Sequence, residues 1–136
     1  MITFSADRRR VRFKAVHAYL SKRSYWAQGR PASLQRTLNA NSLCVGLYEG
    51  KKQAAFARVV TDYGVFAYLA DVFVHEDYRG RGLGKRLMRE ILALKRLRKV
   101  KQWTLFTKDA QGLYRQYGFE NTDQPERFMM MRRKPR

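Results

Sequence analysis

The stretch VFVHEDYRGRGLG spans residues 72–84 and decides the fold, because it joins an apolar strand to an amphipathic helix. Residues 72–74 are the end of a run, residues 65–74, that is apolar almost throughout, as expected of a central strand covered on both faces. Three alternating glycines then let the backbone turn tightly and approach a ligand closely. A helix that starts there presents unpaired N–H groups at its positive end, and flanking guanidinium groups add further donors. A phosphate-binding loop is therefore predicted at Arg79, Gly80, Arg81, Gly82 and Gly84.

The spacing of these glycines differs from that of two other known types of phosphate-binding loop. It is Gly-x-Gly-x-Gly, whereas the dinucleotide fingerprint is Gly-x-Gly-x-x-Gly and a Walker loop ends in Gly-Lys-Ser/Thr. A plain flexible turn is the alternative, since glycine often marks turns. The helix that follows is amphipathic, with one apolar face formed by Leu83, Leu87, Met88, Ile91 and Leu92.

Outward from this segment, strand and helix patterns alternate along the chain. Before it, the spacing of apolar residues predicts a short strand at 2–4, helices at 11–20 and 31–39, and a hairpin of strands at 43–47 and 55–59. After it come a basic stretch at 95–101, a strand at 103–107, a short helix at 110–117 and a closing strand at 127–132. This order predicts one α/β domain over residues 1–136.

The composition is strongly basic. The chain has 29 Lys and Arg against 11 Asp and Glu, a formal net charge of +18, which calls for a polyphosphate, an acidic small substrate or a nucleic acid as partner. No run approaches the roughly 18 apolar residues of a membrane span, and the first residues lack the apolar stretch of a secretory signal. We therefore expect a cytoplasmic protein without a membrane partner. Cys44 is predicted to be buried, and the sequence has no metal-binding spacing of Cys and His.

A second motif, AQGLYRQYGF, lies at residues 110–119. With both motifs in this order, the chain resembles the GNAT (Gcn5-related N-acetyltransferase) superfamily, whose segments are Arg/Gln-x-x-Gly-x-Gly/Ala and Ala-x-x-Phe/Leu-Tyr-x-x-x-Gly-Phe. Arg79, Gly82 and Gly84 fill the fixed positions of the first motif, and the resemblance covers residues 42–119 well. It implies an α/β (α+β) fold with a mixed, mostly antiparallel sheet, splayed central strands and flanking helices.

The resemblance also implies that acetyl-CoA is the acyl donor and binds where strands 65–74 and 101–107 splay apart. The backbone of Val72 and Val74 would pair with the pantetheine amides like an added strand. The glycine loop and the amide of Lys85 would hold the pyrophosphate. The residues predicted to bind acetyl-CoA are thus Val72, Phe73, Val74, Arg79, Gly80, Arg81, Gly82, Leu83, Gly84 and Lys85.

Two residues are candidates for catalysis. Tyr114 stands where many family members have a tyrosine that protonates the departing thiolate, and an ordinary tyrosine pKa of about 10 suits that task; the alternative is a packing residue. Asp71, on the central strand, is either the base that deprotonates the amine or a structural hydrogen-bond acceptor. Relay through water would need no dedicated base. Thr107 occupies the place of a frequent family asparagine, so that contact is not carried over.

The acceptor site is expected between the first two helices, with Tyr25, Trp26 and Arg30 in its wall. Alternatively, the aromatic side chains fill the domain's own core. Arginine-rich surroundings favour an acceptor that carries a carboxylate or phosphate beside its amine.

The predicted reaction is transfer of an acetyl group from acetyl-CoA to the primary amine of a small molecule, by direct attack in a ternary complex. One alternative is an amine attached to RNA, such as an aminoacyl-tRNA, tracked by the basic stripes at 8–14 and 95–101. Another is a non-catalytic module that binds CoA or RNA. A monomer and a homodimer are both compatible with the sequence.

Overall fold

The computed structural model describes residues 1–134. Its strands are β1 Ile2–Ser5, β2 Leu43–Glu49, β3 Lys52–Thr61, β4 Phe66–Val74 and β5 Gln102–Leu105. Its α-helices are α1 Phe13–Arg23, α2 Ala32–Ala40, α3 Leu83–Leu92 and α4 Gln111–Arg115. The order of these elements is the predicted one as far as α4.

The strands form one sheet in the order β1-β2-β3-β4-β5. Neighbours from β1 to β4 are antiparallel, and β4 and β5 are parallel, with α3 in the connection between them. The sheet is therefore mixed and mostly antiparallel, which confirms the predicted fold class.

Strands β4 and β5 remain paired over only part of their length. Their pairing runs from Phe66 opposite Gln102 to Leu69 opposite Leu105. Strand β4 then continues through residues 70–74, and within the described residues no strand pairs with that side. The predicted splay between these strands is thus present, and it leaves a backbone edge open in the middle of the molecule.

Two hydrophobic clusters cover the two faces of the sheet. Helices α3 and α4 pack on one face, here called the α3 face, and α1 packs on the other, the α1 face. Cys44 lies in the cluster on the α1 face, and its burial raises the pKa of the thiol to about 11, so the prediction of a buried cysteine is confirmed.

A β-bulge in β4 changes which residues face each side. Asp71 has a positive φ of 53°, and the pairing of β3 with β4 shifts register between Phe56 and Arg58. Before the bulge Leu69 is buried on the α3 face, whereas after it Phe73 is buried on the α1 face. After the bulge, Val72 and Val74 are also partly buried against the cluster on the α3 face, so the prediction that both faces are covered holds for this part of β4. Before the bulge, only the face of Ala67 and Leu69 is buried, and the alternate residues are partly exposed.

The predicted closing strand at residues 127–132 is absent from the structure. The chain forms a short 3-10 helix at Pro125–Arg127, and residues 128–134 are irregular. A strand needs a neighbour for its N–H and C=O groups, and the pairing of the sheet ends at β5. The apolar side chains that suggested a strand stay exposed, Met129 to 90%.

None of the helices within residues 1–134 has the length and apolar character needed to cross a bilayer. Over the same residues, no group of three or more His, Cys, Asp or Glu side chains is placed to hold a metal ion.

Candidate active site

The glycine loop, residues 79–84, leaves β4 and leads into α3. Gly80 and Gly82 have φ values of 79° and 72°, in the left-handed region that glycine adopts without strain. A Cβ atom added at either position would meet no atom within 4 Å, so the loop presents bare backbone to open space. Within the described residues, the N–H groups of residues 80–85 have no hydrogen-bond partner, and the first helical bond runs from Arg86 N to Gly82 O at 3.1 Å.

These unpaired N–H groups at the start of α3 suit a diphosphate, because they converge at the positive end of the helix dipole. The two arginines of the loop are placed differently. Arg79 donates to Val74 O at 3.4 Å and to the Tyr19 hydroxyl, which turns its side chain back toward β4. Arg81 is exposed, with its guanidinium carbon 5.2 Å from the centre of the Tyr78 ring.

The open edge of β4 lies directly before this loop. His75 N donates to Ala54 O of β3 at 2.8 Å, which fixes the direction of its amide. Because successive residues of a strand alternate, the amides of Val72 and Val74 point to the opposite, unpaired side. The N–H groups of both residues predicted to pair with an extended ligand therefore face the splay, where Val74 O already accepts a hydrogen bond from Arg79 Nε.

The two sequence motifs meet beside the loop. The Tyr117 hydroxyl donates to Lys85 O at 3.0 Å, and a Cβ at Gly84 would lie 3.7 Å from Leu113 Cδ2. Thr107, which replaces the frequent asparagine, accepts a hydrogen bond from Ala110 N at 3.0 Å, just before α4 begins. Helix α4 is thus fixed against α3 at the end that carries the unpaired N–H groups.

Tyr114 lies on the buried face of α4. Burial raises the pKa of its phenol to about 12, and the neighbouring Tyr25 adds to the rise. Within residues 1–134 its hydroxyl makes no hydrogen bond, and it is not one of the completely buried unpaired atoms. The hydroxyl is therefore reachable from the surface and free to donate.

Asp71 sits at the bulge and is the centre of a buried group of polar side chains, here called the Asp71 cluster: Asp71, Trp26, Arg30 and Arg58. Arg58 Nε donates to Asp71 Oδ2 at 2.6 Å, and Arg30 Nη1 donates to the same oxygen at 2.8 Å. Trp26 Nε1 donates to the other oxygen at 2.9 Å. Burial acts to raise the pKa of Asp71, but the hydrogen bonds from Arg30, Arg58 and Trp26 and the charge of Arg58 outweigh it and lower the pKa below its ordinary value.

The structure brings two of the three residues predicted for the acceptor wall, Trp26 and Arg30, to this cluster. Trp26 is 42% exposed although its indole N–H is bonded to Asp71, so it forms surface and does not fill the core. Tyr25 is also exposed; its hydroxyl accepts a hydrogen bond from Lys108 N at 3.0 Å, which links the loop between α1 and α2 to the segment after β5.

Sequence reasoning missed Arg58. It lies in an apolar run of β3, and a buried arginine among alanines and valines is itself a signal, because charged side chains are almost never fully buried unless paired. The partner could not be found from spacing, since the two residues meet only through the register of β3 and β4.

Comparison with known proteins gives the family. The family described as an acetyltransferase (GNAT) domain matches residues 40–121 of the chain. A crystal structure of a protein assigned to the GNAT family of acetyltransferases, from Xanthomonas campestris pv. campestris, has a TM-score of 0.94 and 38% identity, covering 97% of this chain and 93% of that one. The chain belongs to the GNAT family of acetyltransferases.

Two related proteins found by sequence match a smaller part of the chain. An uncharacterized N-acetyltransferase, ycf52, from Gracilaria tenuistipitata var. liui is 32% identical over 125 residues, 76% of this chain and 68% of that protein. The ycf52 protein of Pyropia yezoensis is 29% identical over 99 residues, and the match spans only 57% of its length. The fold, at 15% identity and a TM-score of 0.69, is shared with a predicted acetyltransferase from Clostridium acetobutylicum whose crystal structure contains acetyl-CoA.

Proposed function

We propose that the protein transfers the acetyl group of acetyl-CoA to the primary amine of a small molecule, by direct attack in a ternary complex in the cytoplasm. The observation that carries the proposal is the run of unpaired N–H groups at residues 80–85 next to the open edge of β4. Together they offer donors for a diphosphate and an extended backbone for an amide-containing arm, which match the diphosphate and the pantetheine arm of CoA.

The acyl donor fits the residues present. The glycine loop and Lys85 N would hold the diphosphate, and Val72 and Val74 would pair with the pantetheine amides. Phe73 points to the α1 face, where its ring stacks on Tyr19 with centroids 4.1 Å apart, so we expect it to support the strand and not to touch the ligand with its side chain.

In the reaction, the neutral amine nitrogen attacks the thioester carbonyl carbon, a C–N bond forms and the C–S bond breaks. The nitrogen loses one proton and the sulfur gains one, so an amine and a thioester become an amide and a thiol. Direct attack requires both substrates together, and the acceptor wall next to the open edge of β4 supports that arrangement.

Tyr114 is the proposed donor to the leaving sulfur. With a pKa of about 12 it stays protonated at neutral pH and throughout the range in which an amine is deprotonated. An ordinary thiol has a pKa of about 8.5, so complete transfer of the phenolic proton is uphill by roughly 3.5 units. Hydrogen-bond donation to the sulfur as it gains charge is therefore the contribution that we assign to this side chain.

Asp71 is proposed as a positioning residue, which is the structural alternative of the two predicted for it. Three donors occupy its oxygens, and its pKa is lowered, so it has little tendency to take a proton from an amine. We propose that the amine loses its proton to water.

The test of this mechanism is Tyr114→Phe, with Tyr117→Phe as control. We expect Tyr114→Phe to lower kcat by about 10- to 100-fold, because a positioned acid or donor typically contributes at least that much. The Kd of acetyl-CoA by calorimetry should stay unchanged, since the glycine loop is intact. Wild-type kcat should not fall between about pH 8 and 10, because the raised pKa of Tyr114 keeps its proton there. Retained turnover in Tyr114→Phe would remove the residue from the mechanism.

An RNA-attached amine is a second candidate acceptor, and one observation favours it. Arg8 and Arg96, one from each basic stripe of the sequence, line a common depression of about 390 Å³. Tyr63 lies in the same depression, with the guanidinium carbon of Arg96 4.7 Å from its ring centre. RNA that co-purifies with the protein, and acetylation that declines steeply with salt, would support this acceptor over a small amine.

A further inference from the structure

The Asp71 cluster contains one more positive charge than negative charge. Two guanidinium groups, those of Arg30 and Arg58, share a single carboxylate oxygen. All three side chains are withdrawn from water: the exposed fractions are 15% for Arg30, 8% for Arg58 and 2% for Asp71. The other recorded partners of the two arginines are neutral, Ser42 and Gln35. One carboxylate can balance only one of the two cations, so a single positive charge remains in a poorly hydrated place.

The two guanidinium groups also have N–H donors that none of their hydrogen bonds within the described residues uses. Arg58 uses Nε and Nη1 in its contacts, and Arg30 uses Nη1. Within the described residues, their remaining guanidinium nitrogens make no hydrogen bond, yet none of them is among the completely buried unpaired atoms. These nitrogens are therefore not completely sealed from solvent, and Trp26, which shares Asp71 with them, is exposed.

We infer that the acceptor carries an anionic oxygen group, a carboxylate or a phosphate, that binds the free guanidinium nitrogens of Arg30 and Arg58. This inference rests on the proposed acetyl transfer and names the substrate class of that site. A buried unbalanced cation is costly, and an oxyanion that accepts two N–H groups of a guanidinium restores both charge balance and hydrogen bonding. A polycationic acceptor would instead place like charges together.

The same geometry gives the buried carboxylate of Asp71 a role in acceptor binding. With Asp71 present, Arg58 has a permanent counter-ion, and the second guanidinium, on the loop between α1 and α2, stays available for a ligand. Arg30 is the more exposed of the two arginines, so it is the residue expected to meet the ligand first.

The experiment compares acceptors that differ only in charge. Thiol release from acetyl-CoA is measured with phenylalanine, its carboxamide and phenethylamine, and with phosphoethanolamine against ethanolamine. Rates are divided by the fraction of neutral amine at the working pH, because the amide and the acid differ in amine pKa. We expect kcat/KM to be at least 10-fold higher for the anionic member of one set, and the set that responds distinguishes a carboxylate from a phosphate.

The variant for this test is Arg30→Gln, with Arg36→Gln as control. Arg30→Gln leaves Asp71 and Arg58 as a balanced pair, so the fold should be retained, which circular dichroism checks. We expect the KM of the anionic acceptor to rise at least 10-fold, several times more than the KM of its neutral partner, while the Kd of acetyl-CoA stays within about 3-fold. Arg36, whose guanidinium lies 4.0 Å from the centre of the Phe13 ring, lies outside the cluster, and its replacement should change neither.

Each failure has a different meaning. Thiol release that ignores the charge of the acceptor, or an Arg30→Gln variant that slows all acceptors equally, would overturn the inference and leave acetyl transfer intact. If no amine in the set releases thiol while acetyl-CoA still binds, the proposed acetylation of small amines is contradicted, and the inference is contradicted with it.

Discussion

The two proposed binding walls, one for the acyl donor and one for the acceptor, are built from different kinds of atoms. The proposed donor wall, residues 72–85, is one continuous segment that offers mainly backbone N–H and C=O groups. At its two left-handed glycines the backbone is bare. The proposed acceptor wall is the Asp71 cluster, in which side chains from β3, β4 and the loop between α1 and α2 converge on one carboxylate. The bulge at Asp71 lies where the two walls adjoin.

This difference suits the two substrates. The proposed acyl donor is the same molecule in every turnover, and a backbone cradle would bind its diphosphate whatever the neighbouring side chains are. An acceptor must be distinguished from other amines, and that requires side chains with charge and shape. The donor wall should therefore respond to changes in backbone freedom, and the acceptor wall to changes in charge.

The largest effect is expected from Asp71→Asn. The substitution removes the only counter-ion of the cluster and leaves two guanidinium groups together in a buried site. Breaking a buried ion pair by removing one partner typically costs about 3–5 kcal/mol, so we expect a loss of roughly 3 kcal/mol in the free energy of unfolding. Urea unfolding at neutral pH measures it.

The pH dependence sharpens this prediction. Because the pKa of Asp71 is lowered in the folded state, its stabilising contribution is present above the unfolded pKa of about 3.9 and is lost as the pH falls through the folded value. The difference in the free energy of unfolding between wild type and Asp71→Asn should therefore become smaller below about pH 4. Asp123→Asn, at an exposed position, should be neutral within about 0.5 kcal/mol. An equally stable Asp71→Asn would show that the cluster is not held by charge.

The donor wall could be predicted from the sequence because its parts are neighbours in the chain. Glycine spacing, the apolar run before it and the amphipathic helix after it all report on one local turn, and the structure has that turn where the pattern lies. The acceptor wall depends on which residues face each other across β3 and β4, and the bulge changes that by one residue. Trp26 and Arg30 were predicted to lie in the wall of the acceptor site. That both bind Asp71, and that Arg58 joins them, depends on this register. The strand at 127–132 was predicted from apolar content alone, without a neighbouring strand to pair with.

A smaller effect is expected from Gly82→Ala, and Gly50→Ala is its matched control. Both glycines have a positive φ, 72° and 56°, and neither has an atom within 4 Å of an added Cβ. Each substitution should lower stability by about 1–2 kcal/mol, the cost of a left-handed conformation for a residue with a side chain.

Only Gly82→Ala should change ligand binding, because Gly50 lies in the turn between β2 and β3. We expect the Kd of acetyl-CoA from calorimetry to rise about 10-fold, which is about 1.4 kcal/mol, since the new methyl group projects from the loop that approaches the diphosphate. If both variants bound acetyl-CoA as the wild type does, the glycine loop would not be the donor wall.

The smallest effect is expected two residues further on, from Gly84→Ala. Gly84 lies in the first turn of α3, and its added Cβ would lie 3.7 Å from Leu113 and 3.9 Å from Val74, which are ordinary contacts. Alanine favours a helix over glycine by up to about 1 kcal/mol, so stability should stay equal or rise slightly. The Kd of acetyl-CoA should remain within about 3-fold of the wild type, because the amide of residue 84 stays free to donate. A loss of affinity as large as that of Gly82→Ala would mean that the ligand packs against the Cα of residue 84, so that the helical end of the donor wall must also be free of side chains.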